Sequence, residues 1–571
     1  MRRVILPVRA LLLSLLLVAG GAGGAEPRHD LVILGGHVVD GSGAPPRLGD
    51  VAIDGDRVTL IGDLDPEDGR RIIDATGLVI TPGFVNMLSW APTALLVDGR
   101  SQGDIRQGVT LEVFGEGRSP GPLNEAMRAR LLERQDELRY EIPWTTFGEA
   151  LEHLEAKGVS TNVASFVGAT SVRVHEIGYA DRAPTPEELT RMRALVRDAM
   201  EDGALGVGSS LIYAPAFYAD TDELIALAEV AGDHGGMYIS HMRSEGDRLL
   251  EAIDELVSVA RGAGVPAEIY HLKVSGQRNW EKMDAVIERI EAVRAEGLRI
   301  TADMYLYTAG STGLDAGMPP WVQEGGYDAW AGRLQDPEIR ARVKAEMTAQ
   351  ETDWENLLGA AGGEGTLLVG FRNPELRRYQ GMTLAAVAAE RGTDLQDTAM
   401  DLVVEDGSRV QVVYFLMSEE NVQRQIALPW MSFASDASSM TAEAPFTNRS
   451  THPRAYGNFA RLLGRYVRDE GVVSLEEAVR RLTSLPATNL GLRDRGLLAP
   501  GYFADVVILD PATIADVATY EDPHRYATGV RDVLVNGVPV LLDGEHTGAT
   551  PGRFVRGPGW SGWREAAIPG P

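Results

Sequence analysis

Two stretches of this sequence carry residues that could do chemistry together. Met237-Tyr238-Ile239-Ser240-His241 and Ile269-Tyr270-His271-Leu272-Lys273 are short apolar runs, each with a histidine at or beside its end. Each follows a helical segment and a Gly-rich turn, and each leads into another helix. In a parallel barrel the strand ends converge on one face, so two such histidines can meet. A neutral imidazole is the commonest protein ligand for a metal ion. Two imidazoles hold zinc poorly, so a third strong ligand is needed. Thr110-Leu111-Glu112-Val113-Phe114-Gly115-Glu116-Gly117 offers two glutamates of the same strand parity, in an apolar run where an acid requires a partner. Glu116 lies nearer the strand end, beside glycines that permit close approach; Glu112 is the alternative. Phe433-Ala434-Ser435-Asp436 ends a later strand with a carboxylate. Asp436 there could bind the metal and take a proton from an attacking water.

The remaining chain must hold these groups in place. Between its ends it alternates strands and helices, the pattern of a parallel α/β architecture. Eight candidate barrel strands are centred on Phe84, Val113, Ala164, Val207, Ile239, Tyr270, Ala302 and Phe433. Thr185-Pro186-Glu187-Glu188 predicts a helix start, with Thr as N-cap, Pro at the first position and Glu in capping-box register. That helix should end at Gly203, which is free to take a left-handed cap. Trp321 to Ser432 is too long for one strand–helix connection and is read as an insertion beside the barrel mouth. It carries apparent helices at Asp336–Gln350 and Leu395–Val404, and strand-like runs at Leu367–Phe371 and Gln411–Met417.

Both ends have a different texture. Leu31-Val32-Ile33-Leu34, Val51-Ala52-Ile53, Ile72-Ile73, Val506-Val507-Ile508-Leu509 and Val533-Leu534-Val535 are short β-rich runs punctuated by Gly and Asp. Neither end makes a sheet alone, and together they predict one small β-sandwich. The expected fold is therefore a TIM-like (β/α)8 barrel (81–490, with the insertion at 321–432) and a sandwich from 26–80 and 491–571.

A formal charge of −28 is the wrong sign for nucleic acid or an anionic membrane surface as partner. The chain has no cysteine, which excludes disulfides and thiolate ligands. Arg2, Arg3 and Arg9, the apolar run Leu11–Ala19 and the small residues Gly23-Gly24-Ala25 predict a signal peptide over 1–25, hence export to the periplasm or medium. No integral span is expected in the mature chain, since this apolar run is short for one.

Several motifs carry a resemblance. Gly35-Gly36-His37-Val38-Val39-Asp40-Gly41, Thr81-Pro82-Gly83-Phe84, Gly108-Val109-Thr110 and His241-Met242-Arg243 resemble the amidohydrolase superfamily. With Thr451-His452-Pro453-Arg454-Ala455-Tyr456-Gly457 and Leu485-Pro486-Ala487, they look most like its N-acyl-D-amino-acid deacylase (D-aminoacylase) branch, from about Asp30 to Pro551. The resemblance implies zinc-dependent amide hydrolysis of a small N-acylated amino acid. It further implies that Lys273, Tyr305, Ser311 and Arg454 grip the substrate carboxylate, for which a guanidinium fork and an ammonium are suited. Two departures stand out. The family carries His-x-His at its first strand, where this chain is expected to place Asn86 and Leu88. Its cysteine ligand on the second strand is replaced by Glu116. The site expected is Glu116, His241 and His271 around one zinc per chain, with Asp436 as proton acceptor. Alternatives on the same scaffold are a dipeptidase or a dihydroorotase-like cyclic-amide hydrolase, and a non-catalytic binding homologue without metal.

Overall fold

The computed structural model describes residues 27–566, so the expected signal peptide lies outside the described residues. Eight parallel strands form the barrel: β1 (Phe84–Asn86), β2 (Val109–Phe114), β3 (Asn162–Ser165, continued by Val167–Gly168), β4 (Gly206–Ser210), β5 (Met237–His241), β6 (Ala267–Ile269), β7 (Ile300–Met304) and β8 (Met431–Phe433). Each is a buried run around one of the eight expected centres, with Tyr270 just past the end of β6. Met87 N–H donates to the Phe433 carbonyl at 3.4 Å and Asp436 N–H to that of Leu88 at 2.9 Å, which closes the barrel between β1 and β8.

Strand alternation divides the side chains into two layers. Val85, Met87, Leu111, Val113, Ala164, Phe166, Met237, Ile239, Tyr270 and Ala434 form one buried cluster contributed from around the ring, so they fill the barrel interior. Phe84, Phe114, Val207, Tyr238, Ile269, Ala302 and Phe433 face outward and pack against the helices. The helix Pro186–Asp202 has the expected ends: Thr185 accepts from the Glu188 N–H at 3.2 Å within a capping box, and Gly203 caps it at φ 112.

The connection from β7 to β8 carries the insertion. Its antiparallel sheet joins Ala309–Gly313, Gln411–Phe415 and Thr366–Gly370 over a core that includes Trp330, Leu368 and Tyr414. This sheet begins upstream of Trp321, so Ser311 rides on the insertion rather than on the barrel. Asp336 is an N-cap outside its helix, which spans Pro337–Met347. Both chain ends meet in one nine-stranded sheet, where Val79–Pro82 pairs antiparallel with Val506–Leu509. Leu31, Ile33, Ile53, Val506, Ile508 and Leu534 share its core. Among the described residues no helix is long and apolar enough to cross a membrane.

Candidate metal centre

The site begins with a glycine. β2 ends at Phe114, and Gly115 takes φ 111 where an added Cβ would lie 2.4 Å from the Phe166 carbonyl oxygen. Only glycine fits there, and the turn it makes carries Glu116 to the barrel mouth. His241 ends β5 and His271 lies just past β6. Glu116 Oε1 is 2.9 Å from His241 Nδ1 and 3.2 Å from His271 Nε2, and the two rings are 4.5 Å apart. All three side chains are buried. His271 holds a left-handed backbone (φ 35), and its N–H donates to Asp303 Oδ1 at 2.8 Å. Such a conformation is costly away from glycine and persists only where the surroundings impose it.

Opposite charges compensate one another at this point. Burial works to raise the Glu116 carboxyl, but hydrogen bonds from His241 and His271 hold it well below the usual carboxylate range. Burial and Lys273 work to lower His271, yet Glu245 and Glu116 outweigh them and lift it to about 10. One carboxylate and two imidazoles, with ligand atoms all within 4.8 Å of one another, form a donor set that suits zinc and leaves a fourth position open. Glu245 backs this set. Its Oε1 lies 3.0 Å from His271 Nδ1 and 2.5 Å from Lys273 Nζ, which in turn approaches His271 Nδ1 to 2.7 Å. Glu355, from the insertion, accepts the Glu245 N–H at 2.5 Å; burial and the Glu245 charge raise its carboxyl to about 7.

Across the mouth, Asp436 also has a left-handed backbone (φ 47). Its Oδ1 accepts from Trp90 Nε1 at 3.0 Å, and its Oδ2 lies 2.8 Å from Arg454 Nη2. Arg454 is 2% exposed, yet its Nε and Nη1 have no hydrogen-bond partner. The guanidinium rests 4.3 Å from the Tyr305 ring centroid, and Lys273 Nζ lies 5.5 Å from the same ring. Lys273, Tyr305 and Arg454 thus share one wall. Ser311 approaches Arg454 through its backbone carbonyl, 3.5 Å from Nη2. Its hydroxyl donates instead to the Val412 carbonyl at 2.9 Å, so it is engaged with the insertion sheet. His452, which burial keeps well below its usual pKa, accepts the Arg454 N–H at Nδ1 and bonds the Ala309 carbonyl through Nε2.

Strand direction sets aside the alternative ligand Glu112 and corrects the expected place of Asn86. Glu112 points out of the barrel into a cage of Ser89, Ser101 and Thr161 hydroxyls, because the parity shared with Glu116 breaks at Gly115. Asn86 also points outward and is taken up by Asp104 and Ser435, so it does not face the mouth. From the segment after β1, Leu88 joins the interior cluster and Trp90 bonds Asp436. Sequence reasoning missed Trp90, Glu245 and Glu355. The nearest signal for Glu245 was its place in the segment that follows His241; Glu355 had none, since it comes from a distant insertion.

A model of an amidohydrolase family (Amidohydro_3) matches residues 139–541. A D-aminoacylase of Alcaligenes xylosoxydans xylosoxydans is 35% identical over 92% of this chain and 97% of its own. A solved D-aminoacylase, described with a binuclear metal centre, superposes with a TM-score of 0.77 at 34% identity, covering 92% of this chain and all of that one. The N-acyl-D-glutamate deacylase of Bordetella bronchiseptica, solved with zinc and a phosphonate inhibitor, gives 0.76 at 29% identity over 93% of this chain and 100% of its own. The fold and buried metal-binding triad are those of a metal-dependent hydrolase of carbon–nitrogen bonds. The chain belongs to the amidohydrolase family.

Proposed function

We propose that this chain is an exported, zinc-dependent deacylase that hydrolyses the amide bond of N-acyl-D-amino acids, with one firmly held metal. The observation that carries the substrate reading is Arg454: a buried guanidinium with two unpartnered nitrogens, Nε and Nη1, beside Lys273 and across the mouth from the triad. Unpaired donors on a buried charge are expensive, and a substrate carboxylate would supply a charged acceptor for them. The D configuration rests on the relatives, whose names state it. Export rests on the basic and apolar N-terminal pattern.

Glu116, His241 and His271 would hold the metal. When bound, zinc polarises a carbonyl and lowers the pKa of water from about 15.7 toward about 7. Asp436 takes up the proton that the attacking water gives and returns it to the leaving amine. Arg454 and Lys273 hold the substrate carboxylate, so that the amide rather than the free acid faces the triad. A count of one is supported by the first strand: Asn86 is bonded outside the barrel, Leu88 is no ligand, and both Asp436 oxygens already have donors.

The test is a substrate panel on the zinc-loaded protein: N-acetyl-D-amino acids, their L-forms, dipeptides and cyclic amides. Hydrolysis confined largely to the D-acyl compounds is expected. Preference for a cyclic amide, which has no free carboxylate for Arg454, would overturn the reading, as would no turnover of any compound with zinc, cobalt or manganese.

A further inference from the structure

We propose that Trp90 is the positioning residue for Asp436, holding its carboxylate in register through the indole N–H; this rests on Asp436 handling the proton. Asp436 lies just past the end of β8 in a left-handed conformation that does not persist unaided. Three contacts hold it: its own N–H donates to the Leu88 carbonyl at 2.9 Å, Trp90 Nε1 donates to Oδ1 at 3.0 Å, and Arg454 Nη2 reaches Oδ2 at 2.8 Å. The first fixes only the backbone. Arg454 must also serve the substrate carboxylate, so its hold on Oδ2 is shared during turnover. Trp90 is then the side chain whose grip on the carboxylate does not depend on substrate.

Packing does not explain a tryptophan at this place. The residue is 42% exposed, so the indole is not filling a core void. What indole has and phenyl lacks is one N–H, and that N–H is used. It is a donor only, which lets it orient a carboxylate without entering the proton transfer. Its backbone is tied to the segment that carries Asp436, since Trp90 N–H donates to the Ala437 carbonyl at 2.9 Å and Ser89 bridges Ala437 across the seam beyond β1 and β8. Donor and acceptor therefore sit on the two segments that follow β1 and β8, clamped next to each other where the barrel closes.

Two substitutions separate donation from packing. Trp90→Phe keeps an aromatic ring and removes the donor. Trp90→Gln loses the ring but restores an N–H two bonds beyond Cγ, the reach of the indole nitrogen. With metal content measured in each zinc-loaded protein, Trp90→Phe should lower kcat about tenfold or more with KM within about twofold of the parent, because a misaligned group costs the chemical step. Trp90→Gln should recover most of that loss. In the protein labelled with 15N-tryptophan, the indole resonance that Trp90→Phe removes should shift in Asp436→Ala. Unchanged kcat in Trp90→Phe, a loss expressed in KM alone, a Gln variant as slow as the Phe variant, or an unmoved resonance would each overturn the proposal. Failure of the functional reading looks different: the parent protein itself would be inactive, or Asp436→Asn would retain turnover.

Discussion

The Glu245 carboxylate lies 3.0 Å from His271 Nδ1, on the side of the ring opposite the nitrogen that faces Glu116. The same carboxylate pairs with Lys273, whose ammonium lies 2.7 Å from that nitrogen, so Glu245 orients the ring from behind and compensates the ammonium's charge beside it. Glu245→Gln should therefore weaken zinc binding by about 10- to 100-fold while leaving the fold intact. Competition with a chelator of known affinity measures this, and parent-like affinity would remove Glu245 from the metal site.

The ligand set itself is testable without activity. Glu116→Ala, His241→Ala and His271→Ala should each release the metal, because two remaining ligands hold zinc poorly. Asn86→Ala and Glu112→Gln should keep it, since both parent side chains are bonded outside the barrel interior. Elemental analysis of the six purified proteins, parent included, decides. Two firmly held metals per parent chain would contradict the single-site count.

Asp436→Asn should lower kcat by about 10²-fold or more with metal retained, because an amide cannot accept the proton. Arg454→Met should instead raise KM for N-acyl-D-amino acids well beyond any effect on N-acyl amines without a carboxylate, which register only the lost contact to Asp436. Steady-state kinetics on the two substrate classes separates the two roles; equal losses on both classes would leave Arg454 only its contact to Asp436 and detach it from the substrate carboxylate.

Stability should depend on pH through Glu268. This inward-facing residue of β6 is fully buried beside Thr301, Ser432 and Asn489, and burial raises its carboxyl from an ordinary 4.5 to about 7. The folded chain then holds this proton more tightly than the unfolded chain, so between about pH 4.5 and 7 Glu268 costs increasing stability as pH rises. Glu268→Gln should remove that cost, gaining roughly 1–3 kcal/mol relative to the parent at pH 7.5 over the same difference at pH 4.5. Urea unfolding at the two pH values measures it. A variant whose stability tracks the parent at both would show that Glu268 is not neutral in the fold.

Much of this molecule is determined locally and is legible in the residues alone. Strands centred where short apolar runs fall between Gly and Asp, the helix from Pro186 capped by Thr185 and Gly203, and histidines at or beside strand ends all depend on near-neighbour propensity and period. The meeting of Glu116, His241 and His271 also follows once a parallel barrel is accepted, because that fold brings its strand ends to one face. Tertiary structure decided the rest. The choice between Glu112 and Glu116 turned on Gly115, whose positive φ breaks an alternation that the sequence pattern continues. The place of Asn86 outside the barrel depended on where β1 ends against β8. Trp90 on Asp436, and Glu355 on Glu245, are pairs separated by hundreds of residues or drawn from an insertion. No local rule ties such residues together, since only closure of the barrel and packing of the insertion bring them within hydrogen-bonding distance.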